Sequence, residues 1–215
     1  MVKRLEVIYG DITEVKFDAI VNAANSRLLK GGGVCGAIHR AAGDELEDEC
    51  LGIGGCPTGE ARITKSYGLG KNNIWWVIHA VGPIWYGGSA NEQKLLENAY
   101  FNSLKTAVDY KEIYLKQWKR VIKEQTSRLH DEERITLVDK LYKEAEDYVN
   151  SHKIRTVAFP SISTGIYEFP LDKASQIAVS AIKKFLNENE EIEKVAIICF
   201  DRETFDYYNN EINKI

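Results

Sequence analysis

Between Ile20 and His39 the chain sets two asparagines, Asn22 and Asn25, ahead of three consecutive glycines, Gly31, Gly32 and Gly33, and then Val34, Cys35 and a helical pattern. Carboxamides offer both donors and acceptors to sugar hydroxyls, and glycines let the backbone come close to a ligand. The start of a helix adds unpaired N–H groups and a positive dipole end, so a diphosphate can be held there with few basic side chains. The order describes a site for a phosphorylated sugar. A glycine cluster alone fits a plain turn equally well, so the reading needs a second element.

That element lies between Ile154 and Pro170. An apolar strand empties into a small polar loop, Ser161 to Tyr167, and the helical stretch Leu171 to Asn187 follows. Two strand–loop–helix units can put two N–H-lined loops on one crevice of an α/β sheet, where such folds bind ligands.

Apolar runs at Leu5 to Tyr9, Ala19 to Val21, Ile74 to Ala80, Thr156 to Phe159 and Lys194 to Phe200 read as strands. Helical segments fall at Val34 to Ala42, Glu92 to Val108, Leu171 to Asn187 and Thr204 to Ile212. The alternation predicts an α/β fold with a mixed sheet between helices. Residues 1–215 form a single domain in this reading, because a chain of this length buries one substantial core.

The stretch 109–150 has a different composition: rich in Lys and Glu, without glycine or proline. Ile113, Trp118, Val121, Ile122 and Leu129 form one stripe at helical spacing, and Ile135, Val138, Leu141, Tyr142, Ala145 and Val149 another. With a break near residues 126–131 this predicts a helical-hairpin insertion. It either packs on its own domain or offers a surface for a protein partner or self-association. Its deletion is expected to leave ligand binding intact.

The net charge of −4 argues against general nucleic-acid binding, since phosphate-backbone affinity depends on clustered Lys and Arg and here basic and acidic residues are interleaved. The N-terminus, Met1 to Glu6, enters a strand pattern without an apolar signal region, and no stretch reaches the roughly 18 apolar residues that span a membrane. Cys35, Cys50, Cys56 and Cys199 include no Cys-x-x-Cys pair and read as free thiols. A cytoplasmic location is expected.

Several motifs together carry a family resemblance: Gly10-Asp11-Ile12-Thr13, Asn22-Ala23-Ala24-Asn25, Gly31 through Gly43, Gly55-Cys56-Pro57-Thr58-Gly59-Glu60-Ala61, Val77-Ile78-His79-Ala80-Val81-Gly82-Pro83, and Phe159 through Pro170. In this order they resemble the MacroD-like branch of the macrodomain family, ADP-ribose-binding proteins and mono-ADP-ribosyl hydrolases, with residues 109–150 outside the resemblance. The resemblance implies a three-layer α/β/α macrodomain.

It also implies roles. Asp11 accepts a hydrogen bond from the adenine amine, beside Ile12 as an apolar wall, although an aspartate there also suits a turn or a helix cap. Phe200 stacks on adenine, or is core as strand-end aromatics often are. Asn25 bonds a ribose hydroxyl and aims the anomeric carbon at water, while Asn22 braces the loop. Gly32, Gly33 and Val34 face Ser163, Thr164, Gly165 and Ile166 across the diphosphate, and Tyr167 covers the distal ribose. His39, His79, Trp75, Trp76 and Trp85 read as structural or rim residues.

Cys35 departs from the pattern, because many MacroD-like hydrolases carry a catalytic aspartate there. A neutral thiol is a poor substitute for a carboxylate that orients water. Hydrolysis then relies on the substrate's own phosphate and on Asn25; otherwise the site binds without turnover, or Cys35 acts as a nucleophile at the helix N-terminus. The resemblance implies removal of mono-ADP-ribose from acidic side chains and deacetylation of O-acetyl-ADP-ribose. The alternatives are a non-catalytic reader of ADP-ribosylated partners and an ADP-ribose-1″-phosphate phosphatase. No metal or organic cofactor is expected.

Overall fold

A computed structural model describes residues 4–127 and 129–214; the N-terminal reading at Met1 to Lys3 and one residue of the predicted 126–131 break lie outside them. Six strands form one sheet in the order β1-β6-β5-β2-β4-β3. They are β1 Leu5–Tyr9, β2 Ala19–Ala23, β3 Ala61–Lys65, β4 Trp76–Ala80, β5 Thr156–Phe159 and β6 Lys194–Cys199. All pairings are parallel except β3 with β4. The sheet is mixed, as its sequence predicts.

Strand side chains alternate between two cores, the period expected when both faces of a sheet are covered. Val21, Ile78, Val157, Val195 and Ile197 enter the larger core. There they meet α3 (Glu92–Val108), α6 (Leu171–Glu188) and α7 (Arg202–Ile212) through Leu104, Ile182 and Tyr208. Ile20, Val77, Ala158, Ala196 and Ile198 enter the other core, against Ile38 of α1 (Gly33–Ala42) and Leu46 of α2 (Asp44–Ile53). The result is a three-layer α/β/α sandwich. No helix among the described residues is long and apolar enough to cross a membrane.

A strand and an α-helix escaped the sequence patterns, as did the short 3-10 helix Tyr67–Asn72. The antiparallel strand β3 lies at the sheet edge, where Arg62 and Lys65 interrupt its apolar run and blunt the edge. Helix α2 is split from α1 by Gly43, whose φ of 97° ends the first helix. Its first turn carries Asp44, Glu45 and Glu47, a helix-start signal legible in the sequence.

Residues 110–151 form two packed helices, α4 (Tyr110–Gln125) and α5 (Asp131–Ser151). Trp118, Val121, Ile122, Ala145 and Val149 are buried, whereas Leu129 and Ile135 are exposed. The buried face also includes Tyr110 and Tyr114, and it belongs to the main core. Trp76 of β4 has no exposed surface, and Tyr110, Tyr114 and Tyr148 meet its ring edge-on at 5.5, 5.0 and 4.9 Å between centroids. Its indole N–H donates to the His152 carbonyl at 2.7 Å, and Tyr148 Oη donates to the Trp75 carbonyl at 2.6 Å. This pair of helices is therefore no detachable appendage, and the physical basis for a harmless deletion is gone.

Under the same helices, the buried Glu49 carboxylate accepts from Tyr67 Oη at 2.7 Å and from the Lys65 N–H at 3.2 Å. Burial pushes its pKa up from 4.5 to about 7 against those hydrogen bonds. The folded state therefore keeps a proton that the unfolded chain releases, so this group's stabilisation is complete below about pH 4.5 and is lost as pH rises through about 7.

Two outcomes are expected. Excising residues 109–150 behind a short linker lowers the thermal unfolding midpoint severely or abolishes folding, because it uncovers Trp76; an unchanged midpoint in circular dichroism would show the hairpin to be separable. Glu49→Gln, followed by urea unfolding between pH 5 and pH 8, gains stability relative to the parent as pH rises, and a pH-independent difference would remove Glu49 as the titrating group.

Candidate functional site

A crevice of about 810 Å³ opens at the C-terminal ends of β2, β5 and β6. One wall is the loop from Asn25 to Gly32 that enters α1. Gly32 occupies the N-cap position with no side-chain cap, so the first N–H groups of α1 face the crevice without a side-chain partner. Gly33 has a φ of 56°, and a Cβ there would meet no protein atom within 4 Å, because that space is the crevice. Gly31, Gly33 and Gly36 fall at the Gly-x-Gly-x-x-Gly spacing of dinucleotide-binding loops, a pattern the sequence does contain. A side chain on Gly36 would run into the Gly31 carbonyl, so the third glycine serves close packing of loop on helix.

The opposite wall is the loop from Pro160 to Tyr167. Tyr100 Oη accepts from the Ile162 N–H at 3.0 Å, and Ser161 Oγ bonds Tyr208 Oη at 2.9 Å and Thr164 Oγ1 at 2.8 Å. The Trp85 N–H donates to the Tyr167 carbonyl at 2.9 Å. Supported in this way, the loop holds Ser163 at a φ of 69°, with its hydroxyl buried and unpartnered over Gly82. Any Cβ on Gly82 would collide with that hydroxyl, which explains the glycine. Gly165 has open space beside it, and Ile166, 75% exposed, leans across the crevice toward Gly32. Tyr167 is half-buried and lines the same wall.

At one end lie Asp11, Ile12 and Phe200. Asp11 Oδ1 accepts from the N–H and hydroxyl of Thr13, both at 2.8 Å, a turn that leaves Oδ2 without a protein partner among the described residues. Ile12 is buried, whereas Phe200 is 78% exposed on the rim, so the core reading of Phe200 is set aside. The crevice brings together every site residue predicted from sequence except Asn22.

Asn22 lies beneath the floor, fully buried in β2, with Nδ2 at 3.2 Å from His79 Nδ1 and 3.7 Å from Cys35 Sγ. The loop itself is tied by Asn25: Nδ2 donates to the Leu29 carbonyl at 2.6 Å, and Oδ1 accepts from the N–H groups of Arg27 and Leu29. The loop-bracing role expected of Asn22 thus belongs to Asn25, which also lines the crevice.

Cys35 lines the crevice at 5% exposure, and its thiol donates to the Leu29 carbonyl at 3.7 Å. Burial pushes its pKa up, only partly opposed by hydrogen bonds from Asn22 and Gly31. A protonated thiol without a paired base is a poor nucleophile. His39, one helical turn on, has no hydrogen-bond partner at either ring nitrogen, and burial lowers its pKa.

Sequence reasoning missed Ala37, Arg40, Gly82 and Thr204. Ala37 and Arg40 follow Gly33 at i+4 and i+7, the spacing of one helix face, so the first two were legible once α1 was placed. Among the described residues no group of three or more His, Cys, Asp or Glu side chains could hold a metal ion.

The Macro domain family model matches residues 21–116 and 112–178, a span that runs across α4 and α5. A curated relative, O-acetyl-ADP-ribose deacetylase 1 of Pantoea vagans, is 41% identical over 98% of this chain and 99% of its own length. The structure of an Oceanobacillus iheyensis macrodomain with ADP is similar at TM-score 0.70 and 33% identity, covering 97% of this chain and 89% of that one. A Trypanosoma brucei macrodomain in complex with ADP-ribose is similar at TM-score 0.68 and 30% identity, covering 96% of this chain and 68% of that one. Matched by the family model over most of its length and 41% identical to a curated relative over 98% of it, the chain belongs to the Macro domain family.

Proposed function

We propose that this protein binds ADP-ribose in the crevice and hydrolyses esters of its distal ribose, releasing mono-ADP-ribose from acidic side chains of proteins or acetate from O-acetyl-ADP-ribose. The observation that carries the reading is the pair of backbone-lined loops, Gly31–Val34 and Ser163–Ile166, facing each other across the crevice. A diphosphate between them meets N–H groups and the N-terminus of α1 and needs no cluster of basic side chains. Asp11 Oδ2 and the exposed Phe200 ring suit an adenine at one end. The deacetylase name of the Pantoea relative and the ADP and ADP-ribose complexes of the two solved macrodomains favour the same ligand.

Hydrolysis adds one water across an ester: the carbonyl–oxygen or anomeric carbon–oxygen bond breaks, water supplies the new bond, and a carboxylic acid and a free hydroxyl result. The neutral Cys35 thiol does not take the proton from that water. The diphosphate supplies an acceptor that orients it, while Asn25 and the two loops fix the ribose. Four buried free cysteines suit a reducing compartment and a cytoplasmic location. The protonated thiol at position 35 is also the one observation that favours a non-catalytic reader of ADP-ribosylated proteins.

The deciding experiment is a time course of ADP-ribose release from a glutamate-linked mono-ADP-ribosylated protein, and of acetate from O-acetyl-ADP-ribose, with this chain and Asn25→Ala. Catalytic release that Asn25→Ala loses supports the hydrolase; binding without release on both substrates assigns the reader. Cys35→Asp is expected to raise turnover about tenfold or more, and a fall at unchanged affinity would show the thiol to be favourably used. Gly33→Val is expected to weaken ADP-ribose binding at least tenfold in calorimetry while the protein stays folded, and unchanged affinity would move the diphosphate away from this loop.

A further inference from the structure

A line of buried polar groups crosses the sheet beneath the crevice and ends on it. It starts at Thr64 of β3, passes His79 of β4 and Asn22 of β2, and reaches Cys35 in the first turn of α1. Thr64, His79 and Asn22 have no exposed surface, so each polar atom depends on a protein partner, and of these atoms Asn22 Oδ1 has none among the described residues. Asn22 and His79 face each other directly in the β2–β4 register. Polar side chains are costly to bury at such positions unless they are hydrogen-bonded.

The directions of the bonds follow from one end. The Cys35 thiol gives its proton to the Leu29 carbonyl, so its sulfur accepts from Asn22 Nδ2. The same nitrogen lies 3.2 Å from His79 Nδ1, which is therefore the bare ring nitrogen. Burial, with His39 nearby, pushes the His79 pKa down to about 3, so the ring is neutral and carries its proton on Nε2, 2.9 Å from Thr64 Oγ1. Cys50 Sγ stands 3.6 Å from that nitrogen. His79 Nε2–H thus donates to Thr64 Oγ1, and the bare Nδ1 is left to accept from the Asn22 amide nitrogen.

We propose that His79, which does not touch the crevice, is a positioning residue that holds the Asn22 amide nitrogen toward the side chain at position 35. The bottom of the crevice is then a preset donor site. Cys35 meets Asn22 Nδ2 and a hydrogen bond from the Gly31 backbone, an arrangement that favours the anionic form of whatever acceptor stands there. In that role His79 acts on position 35 while lying outside the crevice itself. The idea deepens the hydrolase reading of the same crevice, but its test reads the thiol directly and does not depend on turnover.

The test is the pH profile of Cys35 alkylation by iodoacetamide in the full chain, followed peptide by peptide in mass spectrometry so that Cys50, Cys56 and Cys199 are read separately. The other ionisable groups that act on Cys35 are Glu47 of α2, Cys50 and Tyr167, and all stay unchanged. His79→Leu removes the acceptor while filling similar space, so the Asn22 amide is no longer held. Cys35 alkylation at pH 8 is expected to slow severalfold, with its midpoint moved to higher pH. His79→Asn keeps an acceptor at the δ position and is expected to restore the parent profile.

A histidine that only fills space predicts the reverse, since loosening the core exposes the thiol and speeds its alkylation. A faster or unchanged reaction in His79→Leu, or no recovery in His79→Asn, overturns the proposal. If His79→Leu does not fold, Thr64→Val carries the test: it leaves His79 in place but removes the acceptor of its Nε2 proton, so the ring is held less firmly. A smaller shift of the Cys35 profile in the same direction supports the proposal, and an unmoved profile overturns it.

Discussion

The crevice depends on one pairing, the short parallel contact between β2 and β5. Only Ala19 and Ile20 of β2 pair with β5, opposite Val157 and Ala158, while β2 pairs along its whole length with β4 on the other side. Past Ile20 the two strands part, and each runs into its own loop. The sheet order changes direction at this point, with β2 leading toward β4 and β3 and β5 leading toward β6 and β1. Open α/β sheets bind ligands at such switch points because loops from adjacent strands diverge there and leave a gap. Both loops therefore reach the same space, a condition that backbone recognition of a diphosphate imposes.

Rigid support converts that gap into a site. Tyr100 and Tyr208 hold the 160–167 loop from below, and Trp85 joins it from the flank through the Tyr167 carbonyl. On the other wall the Asn25 side chain closes the turn to Leu29. Glycines stand where a Cβ would collide with the opposite wall or fill the crevice, as at Gly82 and Gly33. Preorganised N–H groups lose little on binding, since the ordering cost was met during folding.

Position 35 is where the crevice floor meets the sheet interior. The thiol occupies a place lined by donors from Asn22 and Gly31, which suit an acceptor or an anion better than a neutral S–H. The same side chain is tied to the crevice wall, its thiol donating to the Leu29 carbonyl. The polar line through Asn22 and His79 links the crevice floor to the sheet interior.

Much of this was written locally in the sequence. The periods of the strands and of α3, α6 and α7 follow from which residues must be buried, and Gly31 to Gly33 and Ser163 to Ile166 announce their loops by residue type. The edge strand β3 was hidden because its charges break the apolar alternation, and Tyr110 and Tyr114 escaped notice because their burial depends on Trp76, more than thirty residues earlier in the chain. The roles of Asn22 and Asn25 could not be told apart by type or spacing. An asparagine's partners are set by which strand lies opposite it, and only the β2–β4 register placed His79 against Asn22 and left Asn25 on the crevice wall. Sequence determined which segments could bind a phosphorylated sugar; tertiary pairing decided which atoms face it, because hydrogen-bond direction is fixed only by neighbours distant in the chain.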